Sequence, residues 1–146
     1  MKIEYRNGDL FQTDVKTIVH GCNAQGVMGS GIAKIIREKY PTAYERYRDQ
    51  YLIENKLVMG SLVVVPCDDK IIVNAITQEF FGRDSNTIYA SYWAIAEAFR
   101  KIEMYNFKEI ALPKIGAGLA RGDWNVISAI IENTLVNTKP VVYYID

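Results

Sequence analysis

The C-terminal half of the chain alternates strand and helix signals with short gaps. KIIVNAIT (70–77), KEIALP (108–113) and PVVYYID (140–146) are β-branched or apolar runs of strand length. Between them lie IYASYWAIAEAFRKIEMY (88–105) and WNVISAIIENTLV (124–136), both with apolar residues at helical spacing and the second with Asp123 as its N-cap. This βαβαβ order constrains the fold more than any other feature. Parallel strands need crossover helices, and those helices must cover the sheet. The expectation is an α/β domain with a largely parallel sheet.

The N-terminal half fits the same plan. IEYRN (3–7) reads as a first strand ending at Gly8-Asp9, and TIVHGCN (17–23) as a buried strand. A helix runs from Gly31 with Ile32, Ala33, Ile35 and Ile36 on one face. Pro41 ends it and suits the first turn of the next helix, which carries Tyr44, Tyr47 and Tyr51. SLVVVP (61–66) and KIIVNAIT, joined at Asp68-Asp69, read as a hairpin, and QEFFGRDSN after it as a loop. The 146 residues show no repeat or linker, so one domain, 1–146, is expected.

Charge narrows the function classes. Seventeen basic and seventeen acidic residues leave a formal net charge of zero, which argues against binding duplex nucleic acid or RNA through a charged surface. No apolar run approaches the length of a membrane helix, and MKIEYRNGDLF has no signal-peptide core, so a cytoplasmic location and no membrane partner are expected. One histidine, His20, and two distant cysteines, Cys22 and Cys67, predict no metal site and unbridged thiols.

Two glycine-rich turns follow strands. Gly26-Val-Met-Gly29-Ser-Gly31 opens a helix, and Gly116-Ala-Gly118 follows KEIALP. In open α/β sheets ligands bind beyond the carboxyl ends of the strands, and glycine admits a close backbone approach. Backbone N–H groups at a helix start attract anions, so two such turns suit a diphosphate. Neither has phosphate-loop or dinucleotide spacing, and no lysine opens the first helix to meet a γ-phosphate, which argues against a nucleoside triphosphatase. The other reading of each turn is a tight loop alone.

Taken together, "GDLF" after the first strand, "HGCNAQGVMGSGIA" and "LPKIGAGLARGDW" resemble the macrodomain superfamily, with the resemblance running from Lys2 to Tyr144. The wording "IVHGCN…GSGIA" is closer to its ADP-ribose-1''-phosphate phosphatases than to the related terminal ADP-ribose glycohydrolases. The resemblance implies a three-layer α/β/α sandwich around a mixed, largely parallel sheet. It implies ADP-ribose or ADP-ribose-1''-phosphate as ligand, with hydrolysis of the latter to ADP-ribose and phosphate. The alternatives are a non-catalytic ADP-ribose reader, or a hydrolase of ester-linked ADP-ribose on macromolecules. No cofactor is implied, and a monomer is expected.

It also implies roles. Asp9 would accept from the adenine amino group, with Leu10 and Phe11 flanking the base and Tyr144 packing nearby. Gly29, Ser30, Gly31 and Ile32 would line one side of the diphosphate, and Ile115, Gly116, Ala117, Gly118 and Leu119 the other. Asn23 would bond the distal ribose. Residue by residue, other readings stand: a turn cap for Asp9, an edge-strand aromatic for Tyr144, and a self-bonded turn for Asn23.

Two departures from the glycohydrolase pattern matter. Its lysine after a threonine is here Gln78 after Thr77, and its acidic residue after G-x-G-L is here Ala120. Lys34, on the first helix, and Lys114, at a strand end, do not stand in for that lysine. An amide forms no Schiff base and a methyl moves no proton, so lysine-dependent deglycosylation is not expected. His20 and Asn23 then become the catalytic candidates, with His20 supplying a proton or holding phosphate; its other reading is a satisfied strand residue inside the sheet. Gln78 and the Phe80–Asp84 loop are expected beside them. Cys22 lies in no cysteine-x5-arginine signature and is not expected to be a nucleophile.

Overall fold

A computed structural model of the chain describes residues 1–55 and 57–146. Six strands form one sheet: β1 (Glu4–Asn7), β2 (Thr17–Asn23), β3 (Leu62–Cys67), β4 (Lys70–Gln78), β5 (Glu109–Leu112) and β6 (Lys139–Tyr144). Their spatial order is β1-β6-β5-β2-β4-β3. Every neighbouring pair is parallel except β3–β4, the hairpin read from the sequence. Its turn is Asp68-Asp69, with Asp68 at φ 54°.

Helices α1 (Gly31–Lys39) and α2 (Pro41–Glu54) cover one face, and α3 (Tyr92–Met104) and α4 (Trp124–Thr134) the other. The strand period of two divides the core between them. Ile18 and Ile72 are buried with Ile36 and Tyr47 of the first pair, whereas Val19 and Val73 are buried with Phe99 and Ile131 of the second. The expected three-layer α/β/α architecture is therefore observed.

Boundaries differ most at α3, which begins at Tyr92 rather than Ile88. Ser91 caps it, its hydroxyl accepting from the Ala94 N–H. The N–H groups of Tyr89 and Ala90 go instead to the carbonyl of Ala120 at 2.8 and 3.0 Å, and that of Ser91 to Thr77 at 2.9 Å. Backbone hydrogen bonding to the loop at Ala120 and to the end of β4 at Thr77 thus outcompetes an extra helical turn. Asp123 caps α4 as expected. A short 3-10 turn, Leu10–Gln12, follows β1.

Candidate functional site

The carboxyl ends of β6, β5, β2 and β4 lie side by side and open into a cleft of about 840 Å³. Tyr143 and Tyr144 line it at the β6 end, Pro113 and Lys114 after β5, Cys22 and Asn23 at β2, and Thr77 and Gln78 at β4. The two glycine turns are its walls. Gly29, Ser30, Gly31 and Ile32 line one side; Ile115, Gly116, Ala117, Gly118 and Leu119 line the other. The turns meet across the cleft, because a Cβ on Gly31 would lie 3.5 Å from Leu119 Cδ1. Gly116 has φ +77°, and a Cβ there would press to 3.0 Å from Ile127 Cδ1, so its glycine is required by the backbone and by the core beneath.

Electrostatically the cleft suits an anion. No carboxylate lines it among the described residues, while Arg83 and Lys114 do. The N-terminus of α1 adds to this field. Ser30 is its N-cap residue yet makes no side-chain cap bond, so the first-turn N–H groups of cleft-lining Gly31, Ile32 and Ala33 have no side-chain acceptor from it.

The first glycine turn is tied down from within. Asn23 Nδ2 donates to the Val27 carbonyl at 2.8 Å, and Asn23 Oδ1 accepts from the Gln25 N–H at 3.0 Å. The buried Tyr47 hydroxyl lies 2.5 Å from the Asn23 carbonyl and 2.9 Å from Oδ1. The Asn23 side chain therefore makes the self-bonded turn weighed above. Among the described residues Nδ2 has one acceptor for its two hydrogens, and Asn23 lines the cleft.

His20 borders the cleft, as expected, but its ring is held inside the sheet. Its side chain sits on the α1/α2 side of the sheet, only 1% exposed, with Nε2 2.6 Å from Asn74 Oδ1. Asn74 Nδ2 donates to the carbonyls of Ala43 and Val63, both at 3.2 Å, so its Oδ1 is the acceptor and His20 Nε2 carries the hydrogen. Burial pushes the imidazole down to about 4, against a smaller upward pull from Asn74. At neutral pH the ring is uncharged and its N–H is engaged. This placement matches the alternative reading, a satisfied strand residue, in a ring that also borders the cleft. Cys22, 3.5 Å from His20 Nε2, is raised well above an ordinary thiol by burial and is no thiolate at neutral pH. Both cysteines are free and buried.

Asp9, Leu10 and Phe11 stand beyond the β6 end rather than in the cleft wall. The Gly8 N–H donates to the Tyr144 carbonyl at 2.8 Å, which sets the turn next to Tyr144. Asp9 Oδ1 accepts from the Phe11 N–H at 2.9 Å, so Asp9 is a turn cap, with Oδ2 making no bond among the described residues. Leu10 is buried in the α1/α2 core, leaving the Phe11 ring as the side chain at that end, with the Lys39 ammonium 6.0 Å from its centroid. The Lys114 ammonium lies 5.7 Å from the Tyr144 ring centroid.

At the β4 end, Gln78 Nε2 donates to the Phe80 carbonyl at 2.7 Å. Ala120 turns its carbonyl to Tyr89 and Ala90. Phe81, Gly82 and Arg83 line the cleft there. The sequence reading placed this loop near the site but did not single out Arg83; the signal available was an arginine directly after a glycine in a polar loop. Tyr143 and Val27 were missed because nothing in their local pattern distinguishes a cleft residue from a core one. No cluster of three or more metal-binding side chains occurs among the described residues. No described helix is long and apolar enough to cross a membrane.

The sequence profile of the family described as Macro domain matches residues 19–131. An ADP-ribose 1''-phosphate phosphatase of Candida albicans is 29% identical, over 89% of this chain and 92% of its own. The ADP-ribose glycohydrolase OARD1 of Bos taurus is 30% identical, over 94% of this chain and 86% of its own. Among solved structures, the macrodomain of Mycobacterium tuberculosis DarG superposes with a TM-score of 0.80 at 24% identity, covering 99% of this chain and 98% of that one.

Proposed function

The chain belongs to the Macro domain family, and we propose that it binds ADP-ribose and hydrolyses ADP-ribose-1''-phosphate to ADP-ribose and phosphate. One observation carries this reading: a cleft over four parallel strand ends, walled by two glycine turns, free of carboxylates among the described residues and holding two cations and the start of α1. A diphosphate fits between the turns, where backbone N–H groups and the helix start offset its charge. The adenine then falls at the β6 end, between Tyr144 and Phe11 with Asp9 Oδ2 as acceptor. The distal ribose falls at the β4 end, near Asn23, Thr77 and Gln78.

Hydrolysis would proceed by water attack at phosphorus, with the phosphorus–oxygen bond to the ribose breaking and the leaving oxygen taking up a proton. In this cleft the contribution of the chain is orientation of the ligand and neutralisation of charge.

The burial of His20 favours a second reading, a non-catalytic reader of ADP-ribose, since the one imidazole bordering the cleft is 1% exposed and has its Nε2 bonded to Asn74. Product analysis after incubation with ADP-ribose-1''-phosphate separates the two. Phosphate release supports the enzyme; saturable ADP-ribose binding without release supports the reader. No calorimetric heat at millimolar ADP-ribose would sink both.

A further inference from the structure

Arg83 is an exposed cation lining the β4 end of the cleft. Its guanidinium makes no hydrogen bond or ion pair among the described residues. Its neighbour Asp84 does not quench it: Asp84 Oδ1 accepts from the Asn86 N–H and Oδ2 from the Thr87 hydroxyl, both at 2.9 Å. An unpaired guanidinium in a pocket wall without carboxylates is ready to take an anion.

The backbone that presents it is clamped on both sides by one residue. Before Arg83, Gly82 lies flat against Tyr89, so that a Cβ on Gly82 would fall 2.3 Å from the Tyr89 hydroxyl. After it, the Asp84 N–H donates to the same hydroxyl at 3.2 Å. Tyr89 is in turn fixed to the second glycine turn, its N–H donating to the Ala120 carbonyl at 2.8 Å. The position of Arg83 is therefore tied to the loop that walls the diphosphate channel.

We infer that Arg83 is the specificity residue for a terminal phosphomonoester at the ribose end of the ligand, and that Tyr89 positions it. Lys114 stands at the opposite end, beside Tyr144, so the two cations divide the work: Arg83 meets the charge that distinguishes ADP-ribose-1''-phosphate from ADP-ribose, and Lys114 does not. This inference rests on the ADP-ribose reading of the cleft.

The test is displacement of a fluorescent ADP-ribose derivative by ADP-ribose and by ADP-ribose-1''-phosphate, read by rapid mixing before turnover. The wild-type chain should bind the phosphorylated ligand tighter by about tenfold, the range of a charge-assisted contact at a partly open site. Arg83→Ala should abolish that preference, weakening the phosphorylated ligand by about tenfold more than ADP-ribose itself. Arg83→Lys should restore part of it, and Tyr89→Phe should reduce it without removing it. An Arg83→Ala variant with the full preference, or a wild-type chain with none, overturns the inference. A wild-type chain that shows the preference yet releases no phosphate removes the phosphatase reading and leaves the inference standing. Displacement by neither ligand overturns both.

Discussion

The imidazole of His20 donates from Nε2 to Oδ1 of Asn74 across 2.6 Å, so the one imidazole bordering the cleft is 1% exposed and bonded into the α1/α2 side of the sheet. Asn74 passes the connection on to Ala43 of α2 and Val63 of β3. His20→Ala should therefore act on stability. It leaves a cavity and an unsatisfied buried carbonyl oxygen, costing about 2–4 kcal/mol. Chemical denaturation measures this. A variant as stable as the wild type, but unable to release phosphate, would restore His20 to the reaction.

The same burial makes stability depend on pH. The imidazole is held down to about 4 in the folded chain, against an ordinary value near 6.5. Between those values the unfolded chain binds the extra proton and the folded chain does not. Stability from this group is complete above pH 6.5 and is lost as pH falls toward 4, by up to about 1.4 kcal/mol per pH unit. Urea midpoints of wild type and His20→Gln at pH 7, 6 and 5 check it. Parallel pH profiles for the two would refute it.

Gly118→Glu should abolish ADP-ribose binding in a folded protein. A Cβ on Gly118 meets nothing within 4 Å, so the side chain is accommodated and its carboxylate enters the diphosphate channel. Gly116→Ala should instead unfold readily, losing about 1–3 kcal/mol to its positive φ and to overpacking against Ile127. Thermal melts paired with calorimetry distinguish the two, and retained binding by Gly118→Glu would move the ligand elsewhere.

Asp9→Asn isolates the base-recognition role. The amide oxygen can keep the bond from the Phe11 N–H, while the free acceptor Oδ2 becomes a donor. ADP-ribose affinity should fall by about 1–3 kcal/mol with the melting temperature nearly unchanged. Unaltered affinity would leave Asp9 as a turn cap only.

Tyr47→Phe removes the hydroxyl that holds Asn23 from beneath. The loss should be about 1–2 kcal/mol in stability. It should also weaken ADP-ribose binding, because the first glycine turn hangs from Asn23. Calorimetry at a temperature where both proteins are folded reads the second effect; equal affinities would show the turn to be held without Tyr47.

The layer architecture was legible in the sequence because periodicity is a local property. Ile18-Val19 and Ile72-Val73 each send one side chain to either helical layer, and a run of such pairs between amphipathic helices admits few folds. The glycine turns were legible for the same reason, since the backbone conformation at Gly31 and Gly116 is a demand on those residues themselves. The direction of a buried polar side chain is not local. His20 and Asn74 are 54 residues apart and become partners through the register of β2 on β4, which sends the imidazole under α2. Likewise Gly82, Tyr89 and Ala120 are ordinary in sequence, and only the packing of the β4–α3 loop on the β5–α4 loop turns them into a mount for Arg83. What the sequence determined by itself was the set of backbone conformations available at each turn. Which side chains face the cleft and which are spent inside the core was decided by hydrogen bonds and contacts formed only when distant strands paired.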